Sequence, residues 1–290
     1  MAAPRFNNVL KLLLKIAITA VCIWYVSRKI NWSVSLQTVA RSNAGWLLLA
    51  VLLFVASKLV SAIRLNTYFH NIQLRLPQKL NMQLYWLGMY YNLFLPGGIG
   101  GDAYKVILLS KHYQQPAKQL TAAVLLDRIS GVVGLGILAA IYYYAIYQGQ
   151  YYSTWLPILV VPGVAAYYLF VKWLFPSFIK GFWPTLWMGI AVQALQVLCA
   201  YAIMQALHLD AHYTAYIFIF LLSSIVAILP FTIGGLGARE LVFVWGSKQF
   251  LLNQSESVCI SILFYLITVV VSLVGLTWVY RNPLKQTAEK

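Results

Sequence analysis

Hydrophobic residues fall in long blocks separated by short polar breaks, near positions 9–26, 44–63, 121–147, 155–171, 182–207 and 257–280. Several of them reach the roughly 20 residues that carry an α-helix across a hydrocarbon core about 30 Å thick, at about 1.5 Å per residue. The pattern predicts six full transmembrane helices. No small-residue cleavage pattern follows the first block before Ser27-Arg28-Lys29-Ile30, so that block is read as a retained helix and not as a secretory leader.

Two stretches, 80–110 and 214–250, break this pattern. Each carries the phrase Leu-Pro-x-x-Ile-Gly-Gly, from Leu95 to Gly101 and from Leu229 to Gly235, with a cation four positions further on, Lys105 and Arg239. Upstream of each proline the apolar stretch is about 16 residues, or about 24 Å of helix, too short to cross. Pro96 and Pro230 stop the hydrogen-bond ladder, and the glycines that follow permit tight turns. Both stretches are expected to be re-entrant helical hairpins with glycine tips near mid-membrane. Irregular backbone at that depth is tolerated only where protein or water satisfies it, so the tips are expected to line a hydrated cavity. The alternative is that the glycines serve close helix packing alone.

The two phrases are offset by 134 residues (229 − 95), and the apolar blocks roughly follow the same shift. Half-repeats of approximately 9–147 and 148–281 result. Each crosses the membrane an odd number of times, so the second half lies inverted. The expected fold is an all-α polytopic membrane protein, with six full transmembrane helices and two re-entrant hairpins arranged as an inverted repeat in one integral membrane domain. Corresponding breaks in two inverted halves point to a transport site.

Composition agrees on the solvent: 61% hydrophobic residues, 9% charged and a mean hydropathy of +0.76 exclude a soluble domain. The net charge of +15 does not imply a nucleic-acid partner, because lysine and arginine gather in the cytoplasmic loops of membrane proteins. Arg64, Arg75, Lys79, Lys111, Lys118, Lys172, Lys180 and both tails are basic, whereas 148–154 and 208–213 hold neither lysine nor arginine. Both termini are therefore expected in the cytoplasm, although the loop with Arg28, Lys29 and Arg41 then falls outside against the rule. Cys22, Cys199 and Cys259 lie in apolar blocks as packing residues, and His208 and His212 make no metal site. No metal or cofactor is expected.

The candidate chemistry is charge inside the apolar part. Of six acidic residues, Asp102, Asp127 and Glu240 lie in or beside the broken segments or within an apolar block, where ionisable groups mark substrate or ion paths. Asp102 and Lys105 are three apart and can pair locally. Asp127 with Arg128, and Arg239 with Glu240, are adjacent and are expected to meet charges from other helices, across the two halves. The helices opening after Gly100-Gly101 and Gly234-Gly235 offer unpaired amides and a positive dipole end to an anion. Lys105 and Arg239, one turn inside, would form the two halves of an anion clamp suited to phosphate. Lys58 is expected to snorkel outward. Tyrosines and tryptophans anchor at the interfaces, and Tyr90, Tyr91 and Asn92 are further candidates for the cavity wall.

Leu95-Pro-Gly-Gly-Ile-Gly-Gly-Asp-Ala-Tyr-Lys105, then Asp127-Arg128, then Leu229-Pro-Phe-Thr-Ile-Gly-Gly-Leu-Gly-Ala-Arg-Glu240 resembles the transmembrane region of the lysylphosphatidylglycerol synthase family, the flippase-like membrane proteins, over nearly the whole chain. The resemblance implies movement of an anionic lipid or lipid-linked headgroup between leaflets, in a bacterial-type inner membrane. Bifunctional members add a soluble aminoacyltransferase domain; the chain reaches only Lys290, so no enzymatic activity is expected, and a separate lipid-modifying enzyme would be its partner. Membrane lipids with a phosphate-bearing headgroup are the expected substrates. A carrier for a small soluble anion is the main alternative. A membrane-embedded lipid-modifying enzyme with Asp127 or Glu240 as base ranks below it, because a carboxylate paired with arginine is a poor base.

Overall fold

Apolar length dictates the frame of the molecule. The computed structural model describes residues 20–21, 24–25, 27–28, 32–94, 99–228, 236–280 and 283–284; among them all regular structure is helical. A short helix, α1 (Trp32–Ala40), precedes α2 (Ala44–Asn71). Then come α3 (Gln78–Phe94), α4 (Gly100–Tyr113) and α5 (Ala117–Ile146). The second half of the chain forms α6 (Trp155–Leu174), a 3₁₀ turn (Pro176–Gly181) and α7 (Phe182–Ala206). It continues with α8 (Tyr213–Ile228), α9 (Ala238–Gln249), α10 (Gln254–Leu273) and α11 (Leu276–Tyr280).

Five segments of the described residues are long and apolar enough to cross a membrane: Ala44–Asn71, Ala117–Ile146, Trp155–Leu174, Pro176–Ala206 and Gln254–Tyr280. They coincide with five of the six crossings expected from the hydrophobic pattern. The sixth, the block at 9–26, lies almost entirely outside the described residues.

Local chemistry sets several helix bounds. Asn43 caps α2 by accepting from the amides of Gly45 at 2.9 Å and Trp46 at 3.3 Å, and Asn253 caps α10 in the same way through Ser255 and Glu256. Gln114 ends α4 in the left-handed conformation at φ 53°. Gly237, at φ 85°, turns the chain into α9, and the Glu240 carboxylate reaches back to accept from its amide at 2.7 Å.

The short helices pair off. With 17 and 14 residues, α3 and α4 reach about 25 and 21 Å; α8 and α9, with 16 and 12, reach about 24 and 18 Å. α3 packs on α4 where the backbones of Gly88 and Gly101 meet, so closely that a Cβ on Gly101 would run into the Gly88 carbonyl. α8 packs on α9 where Gly246 receives the Ile219 side chain.

Two apolar clusters place these pairs toward opposite ends of the bundle. One takes Ala50 and Phe54 of α2, Leu135 and Ala139 of α5 and residues 197–204 of α7, together with Ile219 to Leu221 of α8 and Phe243 and Val244 of α9. The other takes the opposite ends of the same long helices, Leu65 to Phe69, Leu120 to Leu126 and Phe182 to Leu186, together with Leu80, Leu84 and Leu109 of α3 and α4. The long helices α2, α5 and α7 thread both clusters, and α2 packs along α7 with α5 beside it. Gly134 of α5 and Gly189 of α7 let those two backbones approach without side chains between them.

Candidate functional site

Between α3 of one pair and α8 and the start of α9 of the other lies a cavity of ≈ 360 Å³. Volumes of about 300 to 1,000 Å³ are usual for small-ligand sites. Tyr85, Met89, Asn92 and Leu93 of α3 form one side of it; Ser224, Ala227 and Ile228 of α8 with Arg239 of α9 form the other. Phe54 and Lys58 of α2, Gln193 and Gln196 of α7, and Phe264, Tyr265, Thr268 and Ser272 of α10 complete the wall. Both glycine-bearing breaks, 95–98 and 229–235, fall outside the described residues, but Leu93, two positions before the first, and Ile228, next to the second, line this space.

Its charge is one-sided. Lys58 and Arg239 line the cavity, and among the described residues no carboxylate lies within ion-pairing distance of either. Instead each cation rests on an aromatic face: Lys58 Nζ is 4.5 Å from the Phe54 ring centroid, and the Arg239 guanidinium is 4.7 Å from that of Phe264. Phe54 and Phe264 meet edge to face at 5.5 Å, so one aromatic floor carries both cations. Arg239 also donates to the Ser224 hydroxyl at 3.1 Å, which fixes the guanidinium against α8.

The other charges of the interior are spoken for. Arg64 of α2, 5% exposed, donates to Asp127 of α5 at 2.7 Å. Asp102 at the start of α4 accepts from Lys105 at 2.8 Å and from Arg128 of α5 at 2.6 Å. Glu240 divides its oxygens between the Gly237 amide and the Ser261 hydroxyl of α10, the latter at 2.8 Å. These contacts tie helices together. Buried charges that are paired hold a geometry, whereas buried cations without counter-ions are available to a ligand.

Of the residues singled out in the sequence, Arg239 lines the cavity, and Asp102 pairs with Lys105. Lys105 itself does not belong to the cavity wall. It is 4% exposed, held by Asp102 and stacked at 5.1 Å over the Tyr85 ring, which stands between it and the open space. The second cation of the wall is Lys58, which does not snorkel: α2 runs on to Asn71, so Lys58 falls near the middle of the helix, not near its end. Among the described residues, Asp127 and Arg128 meet charges of other helices within the first half, Arg64 of α2 and Asp102 of α4, while Arg239 and Glu240 bond to Ser224 and Ser261 of the second. Gly100 opens α4, and the Gly101 amide donates to the Asn92 side chain at 2.8 Å, linking the start of α4 to α3. Gly234 and Gly235 lie outside the described residues. Asn92 lines the cavity as foreseen.

The model of the lysylphosphatidylglycerol synthase TM region matches residues 12–275. The chain belongs to that family. A further similarity, 28% identity over 101 residues, links it to a UPF0104 membrane protein of Pyrococcus horikoshii. That match takes in 34% of this chain and 30% of the relative's length. Family membership and the five apolar helices together make this an integral membrane protein.

Proposed function

We propose that this family member is a flippase-like translocator, which moves an anionic lipid or lipid-linked headgroup between leaflets through the cavity between the two helix pairs. The carrying observation is a pair of cations, Lys58 and Arg239, with no carboxylate partner among the described residues, in a cavity of mixed polar and apolar lining inside apolar helices. A phosphate would take the planar fork of Arg239 and the point charge of Lys58 together, while its tails stay in hydrocarbon. Each short pair is a re-entrant hairpin in this reading, and its length, short of about 30 Å, supports that. Placement of the pairs toward opposite ends supports an inverted repeat. So do the helix bounds: Ala44–Asn71 shifted by 134 becomes 178–205, against Pro176–Ala206, and Ala117–Ile146 becomes 251–280, against Gln254–Tyr280.

Inverted halves give two end states of similar energy, open to either side, as alternating access requires. Basic loops orient both termini to the cytoplasm of a bacterial-type inner membrane. The chain carries the lipid and leaves its chemistry to a separate lipid-modifying enzyme.

Reconstitution into liposomes with a headgroup-labelled anionic lipid tests this. An impermeant quencher added outside reads the fraction that reaches the outer leaflet. Wild-type protein is expected to exchange label between leaflets, and Arg239→Gln to slow exchange by about tenfold or more, the loss of one charge-assisted contact. Equal rates with and without protein, or transport of a tail-less phosphate ester in place of the lipid, would defeat the proposal.

A further inference from the structure

The distribution of carboxylates over the whole chain restricts which headgroups the cavity accepts. The sequence has six acidic residues, Asp102, Asp127, Asp210, Glu240, Glu256 and Glu289. Asp102 is occupied by Lys105 and Arg128, Asp127 by Arg64, and both oxygens of Glu240 by Gly237 and Ser261. Asp210 lies in the turn after α7, and Glu256 in the first turn of α10 beside its cap, away from the cavity wall. Glu289 is at the tail. The breaks 95–98 and 229–235 and the block 9–26 contain no acid at all. Among the described residues no carboxylate lines the cavity, and none is encoded in the breaks 95–98 and 229–235.

We infer that the headgroup taken by the Lys58–Arg239 cavity is a phosphate whose remaining part is uncharged and hydroxyl-bearing, and that amine-bearing headgroups, aminoacylated ones included, are refused. The inference rests on the translocation reading and narrows its substrate. An ammonium group brought into this space would be stripped of water next to two cations with no carboxylate to receive it, a cost that grows as the local dielectric falls. Neutral hydroxyls face a different wall. Gln196 and Ser272 supply an amide and a hydroxyl that can donate and accept, and Asn92, Gln193 and Thr268 keep capacity beyond their bonds to Gly101, Gly131 and Phe264. The family model is described by a lysylated lipid, whose headgroup carries amines. This cavity has the opposite complement.

The test is a binding competition that does not depend on transport. Purified protein in micelles is offered an equimolar mixture of phosphatidylglycerol, phosphatidylethanolamine and lysylphosphatidylglycerol with the same acyl chains, and the retained lipids are identified by native mass spectrometry. Phosphatidylglycerol is expected to be retained over both amine-bearing lipids by about tenfold or more. Lys58→Gln is expected to shrink that ratio, and Lys58→Glu to invert it by giving an ammonium group its counter-charge. Equal retention of the amine-bearing lipids by wild-type protein, a preference for them, or retention of none of the three would overturn the inference. Selective retention without exchange in liposomes would instead defeat the translocation reading and leave the inference standing. Exchange with lysylphosphatidylglycerol as the favoured lipid would do the reverse.

Discussion

Among the described residues five buried or half-buried cations occupy the interior, and their partners divide them into two kinds. Arg64, Lys105 and Arg128 face carboxylates; Lys58 and Arg239 face aromatic rings and the cavity. Removing one member of a buried pair leaves the other uncompensated, at a cost of about 3–5 kcal/mol. Asp127→Asn is therefore expected to lower the unfolding midpoint in detergent sharply, and Arg64→Met with Asp127→Leu to recover most of the loss. Arg239→Gln gives up its hydrogen bond to Ser224 and its contact with the Phe264 ring but leaves no carboxylate uncompensated, a loss of about 1–3 kcal/mol, so its midpoint is expected to stay above that of Asp127→Asn while exchange slows about tenfold or more. A midpoint for Arg239→Gln as low as that of Asp127→Asn would make Arg239 a structural residue. The repeat itself distinguishes the two kinds. Asp102, which holds Lys105, has Leu236 at the position 134 residues on (102 + 134), so the second copy leaves its cation free. In the same way Asp127 corresponds to Ser261 (127 + 134), which is neutral and receives Glu240.

Helix pairs are built on contacts that admit no side chain. A Cβ at Gly101 would collide with the Gly88 carbonyl, so Gly101→Ala is expected to push α3 from α4, lower the unfolding midpoint and slow exchange. Gly136, on α5, has nothing within 4 Å of an added Cβ, and Gly136→Ala is expected to leave both measurements unchanged or to raise stability slightly, by up to about 1 kcal/mol from helix propensity. Equal midpoints for the two variants would contradict the close crossing of α3 and α4. Five long helices and both short pairs were legible in the sequence because apolar runs and a proline-glycine phrase are strong local signals. Lys58 was misplaced for a physical reason. The apolar run near 44–63 stops before the helix does: α2 continues to Asn71 through Arg64, whose charge is met by Asp127 from α5, a contact that no local pattern reveals.

At the scale of the molecule, the two pairs root in separate clusters and both contribute to the wall of one cavity. The orientation is open to labelling. In a background without cysteines, a cysteine at Gln115, between α4 and α5, is expected to react with an impermeant maleimide only from the cytoplasmic side, and one at Asp210 only from the other. Reaction of both from the same side would contradict the inversion. On the proposed translocation, a single cavity that serves both leaflets would be reached from both aqueous phases in turn. Gln196 lines that cavity, so Gln196→Cys in oriented vesicles reads access directly. Labelling is expected from either side and protection against both by the anionic lipid. Reaction from one side alone, or from neither, would contradict the account.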